Sequence, residues 1–134
     1  MFDTIWSDIL YMEDFIDFTV DDANFAGLRD FIDELHDNHL QFVPVVDVAI
    51  SIKTDSKGVN WYQIGNDMGV FVKTARYPKA YDGNLLTHVW PEFGAFIDFL
   101  HPNATEFWGK GLQALYDIIP YDGVWLDMNE PSNF

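Results

Sequence analysis

Short apolar runs and amphipathic stretches alternate along the first fifty residues. The apolar run at residues 2–9 predicts a strand. Four apolar residues then recur at the spacing of one helix face, between acidic side chains, and predict an amphipathic helix: Leu28, Phe31, Ile32 and Leu35. Asn24 or Asp22 is the expected N-cap of this helix. Residues 41–50 are almost continuously apolar and β-branched, which predicts a strand buried on both faces, with a local irregularity at Pro44.

The second half of the chain repeats this alternation after an irregular stretch. Periodicity is lost from residue 51 to about residue 86, and we predict that residues 51–88 form an inserted subdomain. A capping-box spacing at residues 103–106 then begins a helix that runs to about Ile118, and residues 124–126 open a last strand. Strand, helix, strand, insertion, helix and strand in this order predict an α/β fold with parallel strands, either a barrel or an open sheet.

Composition narrows the class of protein. The chain has 134 residues, 49% of them hydrophobic, which is typical of a globular domain. Its 22 acidic and 7 basic side chains give a net charge of −15, so neither nucleic acid nor an anionic membrane surface is an expected partner. Without cysteine there is no disulfide or thiolate metal site. No apolar run has the roughly 18 residues of a membrane-spanning helix, and we expect neither a metal nor a cofactor.

Three of the predicted strands end in an acid, namely Asp8, Asp47 and Asp127. Because the carboxyl ends of parallel strands share one edge, these acids are expected to converge although they lie far apart in sequence. Taken singly, each of them has the alternative role of capping a turn or a helix. Together they allow three kinds of chemistry: binding of a hard cation, acid/base catalysis, or nucleophilic attack on an anomeric carbon.

Tryptophans lie beside these strand ends and favour a carbohydrate among the possible ligands. Trp6, Trp90 and Trp125 offer flat indole faces that suit the apolar faces of sugar rings, while carboxylates bind sugar hydroxyls. The alternative is that these side chains fill the core. Core filling is the favoured interpretation for Trp6, and for Trp125 the two interpretations have equal weight.

The end of the chain carries a long and specific motif. Residues 124–134 read VWLDMNEPSNF and resemble the W-x-D-M-N-E-P-S-N-F nucleophile signature of glycoside hydrolase family 31, the α-glucosidase group. The similarity extends upstream through Trp6 to Ile9, the acid at Asp47 and the Val-Trp-Pro triplet at Trp90, in family order. One departure is Leu10, which stands where the relatives usually carry a second acid.

The resemblance implies a (β/α)8 TIM barrel, of which residues 1–134 would hold about strands 2 to 4, with an inserted excursion after the third strand. Since a barrel of this type takes roughly 250 residues, we expect the chain to be a fragment of a catalytic barrel. The resemblance also makes Asp127 the catalytic nucleophile and Glu130 a supporting residue. It implies a substrate-binding role for eight further residues: Asp8, Ile9, Val45, Asp47, Trp90, Trp125, Met128 and Phe134.

The function that follows from the resemblance is a retaining α-glucosidase-type hydrolase acting on terminal α-linked glucose, with an oligosaccharide or glucoside as its partner. In the relatives the acid/base residue lies beyond the nucleophile, so the chain alone is expected to be inactive. The alternatives are a non-catalytic carbohydrate-binding or inactive segment, and an acidic cation-binding module. A lysosomal or secreted setting is plausible by resemblance; compartment and oligomeric state stay open.

Overall fold

The computed structural model describes residues 2–76 and 80–133. The strands and α-helices of this part of the chain are, in order, β1 (Thr4–Ser7), α1 (Leu28–Asp37), β2 (Gln41–Val46), β3 (Ala49–Ser51), α2 (Trp61–Met68), β4 (Leu86–Val89), β5 (Glu92–Phe96), α3 (Ala104–Ile118) and β6 (Trp125–Leu126). Short 3-10 turns lie at Ile9–Tyr11, Glu13–Phe15 and Ala80–Gly83. None of the described helices has the length and apolar character needed to cross a bilayer.

A parallel sheet in the order β1-β2-β6 forms the centre of the molecule. β1 pairs with one side of β2, from Thr4 opposite Gln41 to Ser7 opposite Pro44, and β6 pairs with the other side from Val45 onward. Pro44, which has no N–H, therefore lies where pairing with β1 ends and pairing with β6 begins. The three strands run in one direction, as predicted, so their carboxyl ends meet at one edge.

A second, antiparallel sheet has the order β3-β5-β4. The prediction of one strand over residues 41–50 is wrong, because the chain leaves the parallel sheet at Asp47 and enters the second sheet at Ala49. The first strand is likewise shorter than residues 2–9. The sequence analysis did not predict β5 and α2. The inserted subdomain at residues 51–88 stays a prediction; β3 lies partly and β5 wholly outside that range.

Helix α1 buries the face that its periodicity predicts. Leu28, Ile32 and Leu35 are all less than 9% exposed, whereas Phe31 is half-exposed. The predicted caps of this helix are wrong: Gly27 is the N-cap residue and makes no side-chain hydrogen bond. Asn24 instead closes a preceding turn, in which its amide groups donate to the carboxylate of Asp21.

Helix α3 ends at Ile118 as predicted, but its start differs from the expected capping box. Asn103 makes no capping hydrogen bond with its side chain. Its amide donates instead to the main-chain oxygen of Met68 at 2.9 Å, which ties α3 to the end of α2. The carboxylate of Glu106 pairs with Lys110 one turn later in the helix. Contact between two helices has displaced the local capping interaction.

Candidate active site

A pocket of about 320 Å³ opens at the carboxyl edge of the parallel sheet. Its lining residues come from the ends of β1, β2 and β6 and from the hairpin between β4 and β5: Asp8, Ile9, Leu10, Asp47, Trp90 and Asp127. The structure thus brings together the three strand-end acids that the sequence pattern picks out. It also places an indole ring and two aliphatic side chains around them.

Asp8 follows β1 directly and is exposed. Its Oδ1 accepts the main-chain N–H of Ile9 at 2.7 Å, and this bond begins the 3-10 turn that carries Ile9 and Leu10 to the pocket. Capping a turn and lining a pocket are therefore not alternatives for this residue, because the same carboxylate does both. Leu10 is a pocket residue that the sequence analysis noted only as a departure from the family pattern.

Asp47 lies at the break between β2 and β3 and is 6% exposed. Its main-chain N–H donates to Oδ1 of Asp17 at 2.8 Å, while its own Oδ1 is buried and has no hydrogen-bond partner among the described residues. Burial, followed by the negative charges of Asp127 and Asp8, raises the pKa of Asp47 to about 6. Since buried polar atoms are nearly always paired, this unpartnered oxygen is what a site for a hydroxyl-bearing ligand would present.

Asp127 follows β6 and is exposed at the pocket. The next residue, Met128, has a φ of 55°, in the left-handed region that side-chain-bearing residues rarely adopt. Such strained positions concentrate at functional sites. Further along, the side chain of Asn133 accepts the main-chain N–H of His88 at 2.9 Å, which ties the motif to strand β4. The segment after the acid is thus held against the hairpin that carries Trp90.

Three other predicted site residues, Val45, Trp125 and Glu130, do not line this pocket. Val45 is buried in β2, and Trp125 packs edge-to-face on Trp6 with 6.1 Å between ring centroids. Trp6 is 61% exposed, so the interpretation of this residue as core filling is wrong for this structure. Glu130 is exposed and its main-chain oxygen accepts the Ser132 hydroxyl. Phe134 lies outside the described residues.

Sequence reasoning missed the role of the residues behind the pocket. Asp17 is 2% exposed and bonds to the main chain of Asp47, and Tyr11, fully buried, donates its hydroxyl to the main-chain oxygen of Val45 at 2.7 Å. A carboxylate in the mostly apolar run at residues 15–20 was the available signal.

The pocket combines negative charge with apolar surface. Three carboxyl groups can accept hydrogen bonds from sugar hydroxyls and stabilise a developing positive charge, while Trp90 and the aliphatic side chains can contact ring faces. Within residues 2–76 and 80–133, no group of three or more acidic or histidine side chains has the arrangement of a metal site.

Parallel strands joined by crossover helices, with acids gathered at their carboxyl ends, are the arrangement of an α/β enzyme domain, in closed barrels and open sheets alike. The family profile described as the glycosyl hydrolases family 31 TIM-barrel domain matches residues 1–134. The chain belongs to glycoside hydrolase family 31, and its fold is that of this TIM-barrel domain with mixed α/β content.

Comparison with individual proteins gives the same family. The chain is 41% identical to "Glucoamylase 1" of Candida albicans, over 98% of this chain and 14% of that protein. It is 38% identical to "Alpha-glucosidase" of Hordeum vulgare, over 98% of this chain and 15% of that protein. The glucosidase II alpha subunit with bound DNJ superposes with a TM-score of 0.80 at 28% identity, over 98% of this chain and 14% of that one. The chain thus spans about one-seventh of these relatives.

Proposed function

We propose that this chain is the part of a retaining α-glucosidase-type hydrolase that supplies the nucleophile and much of the pocket for the terminal glucose. The observation that carries the proposal is the convergence of Asp8, Asp47 and Asp127 with Trp90 around one pocket at the carboxyl edge of a parallel sheet. The names of the relatives, a glucoamylase and α-glucosidases, support an α-linked glucoside as the substrate class.

In this mechanism an ionised carboxylate of Asp127 attacks the anomeric carbon of the terminal sugar. The bond from that carbon to the leaving oxygen breaks as a second, protonated carboxyl about 5 to 5.5 Å from the nucleophile delivers its proton to this oxygen. Water then hydrolyses the covalent glycosyl ester, so that the configuration is retained. By family resemblance the proton donor belongs to a later strand of the barrel and not to residues 1–134.

The other two acids of the pocket would hold the sugar. Asp8 is exposed and retains acceptor capacity beyond its bond to Ile9, while the unpartnered oxygen of Asp47 needs a donor such as a sugar hydroxyl. A hydrogen bond to this buried oxygen removes the penalty of leaving it unpaired. Trp90 and Ile9 would contact the apolar face of the ring, which gives the sugar one favoured orientation.

The experiment is a chimera in which residues 1–134 replace the aligned stretch of the Candida albicans glucoamylase, assayed with a chromogenic α-glucoside. We expect Asp127→Asn to lower kcat by at least about a thousandfold, because the attacking carboxylate is lost. The matched control is Asp117→Asn, since the carboxylate of Asp117 lies exposed on α3 and bonds only to Gln113 among the described residues. NMR of the first-formed product should show α-glucose.

Two results would contradict the proposal. If the Asp127→Asn chimera kept more than a tenth of the parent activity, Asp127 would not be the nucleophile. If β-glucose formed first, the mechanism would be inverting. The second candidate function is a segment that binds sugars in the same pocket without cleaving them. In that case the parent chimera should show no turnover above the buffer rate, and sugar binding should survive Asp127→Asn.

A further inference from the structure

Two buried side chains from the segment after β1 brace the end of β2 from behind the pocket. Asp17 accepts the N–H of Asp47 at 2.8 Å, and Tyr11 donates its hydroxyl to the main-chain oxygen of Val45 at 2.7 Å. Asp17 is 2% exposed, so it has no surface for contact with a ligand. Both bonds join groups about thirty residues apart in sequence and end on the main chain of the strand that delivers Asp47 to the pocket.

The bond from Asp17 meets a need that the fold creates. β2 ends at Val46 and the chain enters a different sheet at Ala49, so the N–H of Asp47 points outside both strands. A buried N–H without an acceptor is strongly unfavourable. The carboxyl of Asp17 supplies the acceptor, and it thereby fixes the point at which the chain leaves the barrel sheet.

Burial and a neighbouring acid set the electrostatic surroundings of Asp17. Burial raises the pKa of Asp17 well above its ordinary value, the nearby Asp47 adds to this, and the main-chain N–H groups of Asp47 and Asp17 oppose it. The hydroxyl of Tyr11 lies in the same environment, and burial, Asp17, Asp47 and Tyr121 raise its pKa in turn. The hydrogen bond from the Asp47 N–H needs only an acceptor oxygen, which the Asp17 side chain supplies in either protonation state.

We propose that Asp17 is a positioning residue: its carboxyl accepts the main-chain N–H of Asp47, and so keeps the Asp47 carboxyl in the pocket beside Asp8 and Asp127 without touching the substrate. The sugar-binding consequence rests on the proposed function, whereas the positioning of Asp47 does not. Thr19 offers the matched comparison. It is buried and hydrogen-bonded to Glu13 and Ile16 in the same segment, but to nothing at the pocket.

NMR on the chain itself tests the positioning. We expect a through-hydrogen-bond coupling between the Asp47 amide nitrogen and the Asp17 carboxyl carbon, and a carboxyl titration of Asp47 with its midpoint at about 6. Asp17→Asn keeps an acceptor oxygen and should leave the midpoint unchanged. Asp17→Leu removes the acceptor, so the Asp47 carboxyl should gain contact with water and its midpoint should fall by about one pH unit. Thr19→Val should leave the midpoint in place.

Absence of the coupling in the parent chain would overturn the inference, and so would a midpoint for Asp17→Leu equal to that of the parent. If Asp17→Leu does not fold, the coupling in the parent and the unchanged midpoint of Asp17→Asn decide the question.

In the glucoamylase chimera, Asp17→Leu should lower kcat/KM at least about tenfold and raise KM, with Asp17→Asn and Thr19→Val close to the parent. A parent chimera without turnover would reject the proposed hydrolase function and leave the NMR result intact.

Discussion

Four aspartates near the pocket show how environment separates side chains of one chemical type. Asp8 and Asp127 are exposed at the pocket, Asp47 is nearly buried, and Asp17 behind it is buried almost completely. Burial is the first cause of a raised pKa in both buried acids, to about 6 for Asp47 and well above the ordinary value for Asp17. The pocket therefore changes its charge between pH 5 and 7 through its least exposed lining acid.

The raised pKa of Asp47 predicts that this residue costs stability at neutral pH. Because the folded state binds the proton more tightly than the unfolded state, the contribution of Asp47 to the free energy of unfolding falls as pH rises from about 4 to about 6. Asp47→Asn should therefore stabilise the chain at pH 7.5 by up to about 3 kcal/mol, given a pKa raised from 3.8 to about 6 and about 1.4 kcal/mol per pKa unit.

Urea denaturation at two pH values measures this effect. The gain from Asp47→Asn should largely disappear at pH 3.5, where the carboxyl is mostly protonated in both states. Asp117→Asn on α3 is the surface control and should change stability by less than about 0.5 kcal/mol at either pH. A loss of stability at pH 7.5 would show that Asp47 is a stabilising charge, contrary to the burial that we describe.

Within helix α3, two glycines two residues apart have opposite surroundings. A Cβ at Gly111 would lie 2.5 Å from ring atoms of Phe18, whereas a Cβ at Gly109 would meet nothing within 4 Å. Phe18 is held edge-to-face by Trp61 and Trp108, with ring centroids 5.0 and 5.5 Å away, so its ring cannot move aside easily. The close approach of α3 to this ring requires the glycine at position 111.

Alanine at these two positions should change stability in opposite directions. Gly111→Ala is expected to destabilise by about 1–3 kcal/mol through overpacking. Gly109→Ala should stabilise by up to about 1 kcal/mol, because it only removes the conformational freedom of an exposed helical glycine. Thermal unfolding of both variants measures the difference, and equal shifts of Tm in the two would contradict the packing of α3 on Phe18.

At the opposite end of the strands, one carboxylate joins three elements. Oδ2 of Asp122 accepts the N–H of Phe42 at 2.8 Å and lies 2.9 Å from Nε2 of His36 at the end of α1. Partial burial alone would raise the pKa of Asp122, but the bonds from Phe42 and His36 together with the charge of His36 lower it. The carboxylate therefore stabilises the fold above its ordinary pKa, and this contribution is lost as pH falls through the lowered value.

Asp122→Ala should destabilise the chain by about 1–3 kcal/mol at pH 6, since it leaves the Phe42 N–H without its acceptor. Asp117→Ala, which removes an exposed carboxylate from α3, is the matched control. Denaturant titration measures the free energy of unfolding of both variants. The destabilisation by Asp122→Ala should become smaller as pH falls toward 2. If both alanine variants were equally stable at pH 6, the interaction would contribute nothing to holding α1 and β6 on β2.

At the scale of the whole molecule, we predict that the 134-residue chain shows no appreciable turnover of a chromogenic α-glucoside when it is assayed in parallel with the full-length Candida albicans glucoamylase. The described part of the chain forms a parallel sheet of three strands, so the pocket is bounded by these strand ends and one hairpin. By resemblance the proton donor comes from a later strand. Turnover within tenfold of the full-length enzyme would refute this prediction.

The fold was foreseeable where local pattern and tertiary packing agree. The buried face of α1, the end of α3 and the parallel order of β1, β2 and β6 follow from hydrophobic spacing. Prediction failed at α2 and β5, which are only eight and five residues long, and at the break after Val46. The sequence of this run does not show that the Asp47 N–H leaves the sheet, because its acceptor lies thirty residues earlier in the chain.

Family membership and the positions of the pocket acids were readable from the amino-acid order, since strand ends and the VWLDMNEPSNF motif are properties of short stretches. The protonation of Asp47 and the task of Asp17 were not. They depend on burial and on charges that folding brings close from distant parts of the chain, at Asp8 and Asp127. Electrostatic energy depends on distance in space and on the exclusion of water, and neither is set by separation along the polypeptide.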